Sequence, residues 1–257
     1  MKIVLGRTSA CRVCGSGQLD TVAAFKDFPL TAVFPISREE SLSLARDCEV
    51  LTCGACGTVQ MADNIDPEVY MRYEAPSSGN WSRDWLLKIV DGIPLGAKKP
   101  GDAAVLEIGG GSGAFLSALL ERGFSSSMVM EPSSARLAGQ EHRYVSGLFP
   151  DELPAEISRR RFDVVVMRHA LEHFNDPARI VRKLGELLTD EGMLIIEVPE
   201  LSQLIESGDY SLVYPLHVMQ FSRATLTMLL EQAGLGPKSW ISGPHYGGSM
   251  VAYCRRI

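Results

Sequence analysis

An acidic residue and three glycines alternate along the segment from Glu107 to Gly113, in the pattern Glu-x-Gly-x-Gly-x-Gly. Glycines have no Cβ, so a ligand can lie against their backbone, and a helix that begins after them directs its first N–H groups at that ligand. Ala114 follows Gly113, where a triphosphate-binding loop would have lysine. The Gly-x-Gly-x-x-Gly spacing of dinucleotide folds is also missing. The pattern predicts a small-ligand site of another kind, and a tight strand–helix turn without a ligand is the alternative.

Four of the six cysteines form two Cys-x-x-Cys-Gly motifs, with Cys11 and Cys14 in the first and Cys53 and Cys56 in the second. Such a turn places two thiolates on one side of a tetrahedral ion, and the glycine allows a tight knuckle. Two knuckles complete a four-thiolate site, for which zinc is the preferred ion and iron would also fit. A redox pair or disulfides are the alternatives, which the doubled motif disfavours. We expect structural zinc, with Cys48 as a packing residue.

Alternating strands and helices must position these groups. The apolar run from Ala103 to Ile108 predicts a buried strand, and Phe115, Leu116 and Leu119 share one face of the helix that follows the glycines. Further strands are expected at 127–130, 162–167 and 193–198, and a strand with its exit loop at 144–149. Further helices are expected at 70–90, 176–188 and 222–233, and a closing antiparallel pair at 240–242 and 250–254. This order predicts an α/β fold.

The glycine motif, the strand order and the segment from Arg168 to Pro177 resemble the class I S-adenosylmethionine (SAM)-dependent methyltransferases. The resemblance implies a Rossmann-like seven-stranded sheet, with SAM and structural zinc as cofactors. The expected domains are a small zinc-binding module at 1–70 and a SAM-dependent methyltransferase domain at 71–257. The residues that the resemblance assigns to SAM are Glu107, Gly109, Gly111 and Gly113 for the methionine part, Glu131 for the ribose, Leu148 and Phe149 beside the adenine, and Arg168 and His169 at the strand edge.

Three features narrow the resemblance to the zinc-containing deoxysugar C-methyltransferases, which act on nucleotide-linked keto sugars. They are the four-cysteine module, the segment from Tyr214 to Ser222, and the segment from His245 to Met250. In that family a Tyr-x-Glu-His segment supplies active-site groups, and a histidine removes the proton next to a ketone. Leu216 stands at the position of the family's Glu. Members continue into a C-terminal domain, whereas this sequence ends at Ile257.

The activity expected from this resemblance is transfer of a methyl group from SAM to a carbon of a keto sugar or a similar small metabolite. His217 is the candidate base, because histidine has a pKa suited to removing a proton near neutral pH. Tyr214 and His245 are candidate partners of the enolate oxygen, and each of these residues has a structural role as its alternative. Two other functions remain open. One is O- or N-methylation of a small molecule, and the other is a zinc-stabilised SAM-binding module without catalysis.

The composition is that of an ordinary globular protein, with 257 residues, 46% hydrophobic and 22% charged. A net charge of -6 gives no support to nucleic acid or an anionic membrane as partner. The run Arg159–Arg161 is interpreted as a solvated helix end. No apolar run approaches the ~20 residues of a membrane helix, and the N-terminus lacks a signal-peptide core. We expect a cytoplasmic protein with a small-molecule acceptor, and the sequence gives no sign of its oligomeric state.

Overall fold

The computed structural model of the protein describes residues 3–28, 39, 42, 45–72, 82–209, 213–244 and 247–257. The strands in these ranges are β1 (Val4–Arg7), β2 (Leu19–Phe28), β3 (Arg46–Cys53), β4 (Val59–Met61), β5 (Asp63–Ile65), β6 (Val105–Ile108), β7 (Ser127–Met130), β8 (Tyr144–Val145), β9 (Phe162–Arg168), β10 (Leu188–Pro199), β11 (Met219–Gln220), β12 (Leu235–Gly243) and β13 (Ser249–Arg256). The helices are α1 (Arg83–Asp91), α2 (Ala114–Glu121), α3 (Ala155–Ser158), α4 (Pro177–Glu186), α5 (Leu201–Ser207) and α6 (Arg223–Gln232), with 3-10 turns at Pro67–Arg72, Pro100–Asp102, Glu141–Arg143 and Leu171–His173.

The main sheet has seven strands in the order β12-β13-β10-β9-β6-β7-β8. Strands β8, β7, β6, β9 and β10 are parallel, whereas β13 is antiparallel to both β10 and β12. The predicted seven-stranded α/β class and its closing antiparallel pair are confirmed. Because ligands collect beyond the carboxyl ends of parallel strands, the ends of β6, β7, β9 and β10 define where a site can form.

Both faces of the sheet are covered, which explains why its central strands are continuously apolar. Side chains alternate along each strand, so Leu106 and Ile108 enter a core with α4 and α6. Val105 lies on the opposite face and packs with residues of α1 and α2, among them Trp85. Trp85 of α1 therefore packs against this face of the sheet. Trp81 and the residues from 73 to 80 lie outside the described ranges.

Helix boundaries follow their capping residues. Asp176 caps α4 by accepting a hydrogen bond from Arg179 N at 2.9 Å, with Pro177 at the first helical position. Ser222 and Thr225 form a capping box at the start of α6, and Gly234 follows the helix with a φ of 72°. Both helices are therefore placed as predicted, to within a few residues.

The third strand is very short. Only Tyr144–Val145 pairs with β7, within the range 144–149 that was predicted to hold this strand and its exit loop. Gly147 has a φ of 150°, which turns the chain away, and Leu148 N then donates to Glu152 Oε2 at 2.9 Å instead of to a strand. The polypeptide from Ser146 onward is a loop whose Phe149 returns to the core.

A second sheet, of four strands in the order β11-β4-β3-β2, contains the residues around the second cysteine motif. Its edge strand β11 comes from far along the chain, and Met219 pairs with Gln60. Apolar residues of the N-terminal part, such as Ile65 and Val69, belong to the same core as β9 and β10. The N-terminal part and the main sheet therefore share a core. None of the helices in the described ranges has the length and apolar character needed to cross a bilayer.

Candidate active site and metal centre

The four predicted metal ligands come together. Cys11 Sγ lies 3.6 Å from Cys56 Sγ, and Cys14 Sγ lies 3.6 Å from Cys53 Sγ, so each motif faces the other. All four sulfurs lie within 4.8 Å of one another. A tetrahedral zinc with bonds of ~2.3 Å requires sulfur–sulfur distances of about 3.8 Å. The arrangement fits a four-thiolate zinc ion, and all six cysteines are free of disulfides.

The backbone of the knuckles prepares the sulfurs for a cation. Gly15 N donates to Cys11 O at 2.9 Å and Gly57 N to Cys53 O at 2.8 Å, and both glycines have φ values near 74° that favour glycine. Burial raises the pKa of the Cys53 thiol, but hydrogen bonds from the amides of Cys56 and Ala55 outweigh it and lower the pKa to about 7. Cys48 packs with Val50 and Met61, as expected.

The glycine segment begins directly after β6 and ends at α2. Gly109, Gly111 and Gly113 all have positive φ values, of 73°, 53° and 85°. A Cβ on Gly113 would collide with Tyr144 Oη and Leu137, so the turn is closed by packing as well as by backbone conformation. A Cβ on Gly109 would lie 3.2 Å from Ala170 Cβ, which places the segment after β9 against the glycine turn.

Glu107 lies on β6 with its side chain buried. Its Oε2 atom is buried and has no hydrogen-bond partner within the described residues. Desolvation raises the pKa of the Glu107 carboxyl to about 7, although Arg168 opposes the rise and Glu131 adds to it. An orphaned buried carboxylate oxygen beside a glycine turn fits a ligand with a cationic group, as the predicted cofactor has.

Glu131 follows β7 and joins the two strand ends. Its Oε2 accepts a hydrogen bond from Gly111 N at 2.8 Å, and its Oε1 accepts one from Ser133 N at 2.9 Å. A carboxylate has about four lone-pair sites, so two of them remain for ribose hydroxyls. The side chain is 4% exposed and lies at the tip of the second strand, where ribose-binding acids lie in α/β folds.

A buried charged cluster lies at the ends of β9 and β10. Arg168 and Glu197 are neighbours in register, and Arg168 Nε donates to Glu197 Oε2 at 2.6 Å. Glu197 also accepts hydrogen bonds from Trp85 Nε1 and Ser249 Oγ, and its pKa is lowered because Arg168 and a neighbouring histidine outweigh its desolvation. The Arg168 guanidinium lies over the Phe115 ring, 4.9 Å from its centroid.

His169 is the next residue along the chain and has a φ of 46°, rare for a residue with a side chain. Its Nε2 lies 3.4 Å from Glu197 Oε1 and its Nδ1 lies 3.7 Å from Glu172 Oε1. Burial by itself would lower the pKa of His169, but the two carboxylates outweigh this effect and raise the pKa to about 9. His169 and Arg168, both predicted to contact the cofactor, therefore supply the cations of this cluster.

Four aromatic rings form a second group beside the cluster. His217 lies 4.9 Å from His173 and 5.2 Å from Tyr214, and Tyr70 lies 5.0 Å from His173, measured between ring centroids. Leu216 O accepts hydrogen bonds from Tyr70 Oη at 3.1 Å and faces His173 Nδ1 at 2.8 Å. Desolvation and His173 lower the pKa of His217 to about 3, so its imidazole is neutral near pH 7.

Sequence reasoning paired Tyr214 with His217 but missed Tyr70 and His173. Tyr70 belongs to no motif, and His173 lies in the segment from Arg168 to Pro177 but was assigned no functional role. Of the remaining predicted residues, Phe149 is 7% exposed and packs into the core, and Leu148 is half-buried in the adjoining loop. His245 lies outside the described residues.

Two family models match the chain. One, described as a methyltransferase domain, matches residues 83–237. The other, described as a zinc binding domain, matches residues 11–70. The first covers the glycine turn and the charged cluster, and the second contains both cysteine motifs.

Known proteins resemble the chain to different extents. The C-methyltransferase NovU of Streptomyces niveus is 24% identical over 263 residues, covering 98% of this chain and 62% of that protein. A ubiquinone biosynthesis O-methyltransferase of Pseudomonas aeruginosa strain LESB58 is 28% identical over 146 residues, covering 52% of this chain and 63% of that protein. The chain thus spans less than two thirds of the length of either curated relative.

A solved structure supports the same architecture. Magnesium protoporphyrin IX methyltransferase (ChlM) from Synechocystis PCC 6803, with bound SAH, superposes with a TM-score of 0.52 at 14% identity. The match covers 68% of this chain and 83% of that chain. The Rossmann-like fold class is therefore confirmed.

Proposed function

The chain belongs to the family of methyltransferase domains, with S-adenosylmethionine and structural zinc as its cofactors, and from this premise we propose that it methylates a carbon of a keto sugar. The proposal of carbon as the acceptor atom is supported by the likeness to NovU, which extends through both the cysteine motifs and the sheet domain. We also propose the division into a module at 1–70 and a domain at 71–257, and a cytoplasmic location.

One structural observation carries the proposal: a neutral histidine and two tyrosines lie at the same sheet edge as the glycine turn. Ala170 contacts Gly109, and Glu172, two residues further, has an oxygen within 4.8 Å of a ring nitrogen of His217. The candidate base is thus connected to the candidate cofactor site through three consecutive residues after β9, from Ala170 to Glu172. Bound SAM supplies an electrophilic methyl group, and the protein must supply a nucleophilic carbon next to it.

We propose a role for each candidate site residue. Glu107 faces the cationic groups of the cofactor, the glycines 109, 111 and 113 carry its methionine part, Glu131 holds its ribose, and Leu148 and Phe149 flank its adenine. His217 removes the proton from the carbon next to the ketone, so the electron pair of the C–H bond moves into the enolate. Tyr214 hydrogen-bonds the developing enolate oxygen, and His245 is the other proposed partner. Arg168 and His169 hold the strand edge beneath the cofactor.

The test combines two measurements on the purified protein with a panel of nucleotide-linked keto sugars. Methyl transfer from labelled SAM identifies the acceptor, and solvent deuterium exchange at its carbon reports proton removal. We expect His217→Ala to lower both rates by about 10²–10⁴-fold while the SAM dissociation constant stays unchanged. His142→Ala, at an exposed histidine, is the matched control. Unchanged turnover in His217→Ala would remove His217 from the mechanism.

A second candidate is methylation of an oxygen, supported by the likeness of 146 residues to the ubiquinone biosynthesis O-methyltransferase. An O-methyltransferase does not need to remove a proton from carbon. Methyl transfer without any deuterium exchange at carbon would therefore favour this alternative. Tight SAM binding without transfer to any acceptor would instead favour a binding module without catalysis.

A further inference from the structure

Glu172 lies at the centre of the buried histidines but has no part in the function proposed above. It is 1% exposed, in the 3-10 turn Leu171–His173. Both of its carboxylate oxygens are buried without a hydrogen-bond partner among the described residues, and so is His217 Nδ1. Buried polar atoms without partners are rare in folded proteins and indicate an unrecorded role.

Three histidines approach this carboxylate from different elements. His169 Nδ1, at the end of β9, lies 3.7 Å from Glu172 Oε1, which is an ion-pair distance and too long for a hydrogen bond. One oxygen of Glu172 and one ring nitrogen each of His173 and His217 lie within 4.8 Å of one another. The carboxylate therefore connects the charged cluster on β9 and β10 with the candidate base.

The charges of the cluster are balanced before any reaction. Glu172 and Glu197 have lowered pKa values, because their histidine and arginine partners outweigh the desolvation of each carboxylate. Arg168 and the protonated His169 supply two positive charges against these two negative ones. A proton that moves onto His217 would therefore create a new cation in a buried place, next to Glu172.

We propose that Glu172 is a positioning residue that orients His217 and holds the positive charge that His217 acquires when it removes the substrate proton. This inference rests on the proposed function. The proton leaves the carbon next to the ketone, its bond electrons enter the enolate, and His217 becomes an imidazolium beside the Glu172 carboxylate. After methyl transfer, the proton leaves to water and the cluster returns to its starting charge. A carboxylate within about 5 Å favours the imidazolium and opposes the desolvation that disfavours it.

A divalent metal ion on Glu172, His173 and His217 is the competing explanation of the same three residues. His173 Nδ1 lies 2.8 Å from Leu216 O, so Nε2 would be the metal-binding atom of His173, and metal addition tests this outcome. The ionisable groups that face Glu172 and His217 from neighbouring elements must be considered in any pH experiment. They are His169, His173, Asp209, Tyr70 and Tyr214.

The first test needs no acceptor. NMR of histidine-labelled protein measures the pKa of His169, which Glu172 helps to raise. We expect Glu172→Gln to lower this pKa by about one pH unit and Glu172→Asp to change it less. Glu206→Gln, at an exposed glutamate of α5, is the control. An unchanged His169 pKa in Glu172→Gln would show that the carboxylate carries no charge in the cluster, and the proposal would be overturned.

The second test uses deuterium exchange at the acceptor carbon. Glu172→Gln should lower kcat about 100-fold with little change in KM or in SAM affinity, and Glu172→Asp should recover most of the loss. If His217→Ala abolishes exchange while Glu172→Gln does not, the proposed function stands and the role of Glu172 is wrong. If neither variant affects exchange, the histidine base itself fails. Mn²⁺ or Zn²⁺ is also added and the bound metal is counted. If the native protein binds a second equivalent, and both Glu172→Gln and His173→Ala lose this binding, the three residues form a metal site and the charge role is overturned.

Discussion

The substitution Glu107→Gln should make the protein more stable and at the same time weaken its binding of SAM. Glu107 is buried, and desolvation raises its pKa from an ordinary 4.5 to about 7. A carboxyl whose pKa is higher in the folded state than in the unfolded state binds its proton more tightly when folded. Its contribution to stability therefore falls as the pH rises from about 4.5 to about 7.

The size of this effect follows from the pKa difference. At 1.36 kcal/mol per pH unit, ionised Glu107 costs the fold about 3 kcal/mol above pH 7. Replacing it by a neutral amide removes this cost, so Glu107→Gln should raise the free energy of unfolding by about 2 kcal/mol more at pH 7.5 than at pH 5. Urea unfolding at both pH values measures the difference, with Glu156→Gln, at an exposed glutamate, as the control.

Binding should show the opposite preference. If the ionised carboxylate faces the cationic cofactor, the affinity for SAM depends on the ionised fraction of Glu107. With a pKa of about 7, the ionised fraction of Glu107 is about 25-fold smaller at pH 5.5 than at pH 7.5, and SAM binding should be weaker by the same factor. Calorimetric titration should show this slope in the native protein and its loss in Glu107→Gln. A native affinity that does not change with pH, or a variant that keeps the slope, would refute the assignment of Glu107 to the cofactor.

Two further predictions concern the metal and a helix end. The purified protein should contain about one zinc per chain, and Cys14→Ser should lose the metal and lower both the unfolding temperature and turnover. Turnover should fall because the second cysteine motif precedes β4, which pairs with β11 beside His217. Metal analysis and thermal unfolding check this, and an unchanged unfolding temperature after loss of zinc would contradict it. Ser222→Ala removes the capping box with Thr225 and should cost about 1 kcal/mol of unfolding free energy in urea, and a change no larger than that of the exposed Ser202→Ala would contradict the capping role.

The features that the sequence predicted well are those that depend on neighbouring residues. The cysteine pairs, the glycine turn after β6, and the caps Asp176 and Ser222 are each specified by a few consecutive positions. The apolar character of the central strands also follows from local composition, because both faces of a parallel sheet are buried. Local signals were weaker for the third strand: a strand and its exit loop were predicted together within 144–149, and pairing ends at Val145, shortly before Gly147.

Contacts between distant segments could not be predicted from these patterns. Arg168 and Glu197 are adjacent only because β9 and β10 pair in register, and neither residue belongs to a motif with the other. Tyr70 and His173 come together because both contact the backbone oxygen of Leu216. The His173 ring in turn lies against the ring of His217. Such groupings are determined by strand order and register, which hydrophobic periodicity does not specify.

The segment that carries the candidate base is held from two sides, and this links the zinc ion to the acceptor site. Met61, the last residue of β4, donates its amide N–H to Val218 O at 3.0 Å, and Tyr70 Oη donates to Leu216 O at 3.1 Å. Both donors come from the part of the chain that matches the zinc binding family. So small a segment buries little core by itself, and the metal supplies the folding energy that it lacks. We therefore expect the position of His217 to depend on zinc bound by the four cysteines, although His217 is not one of its ligands.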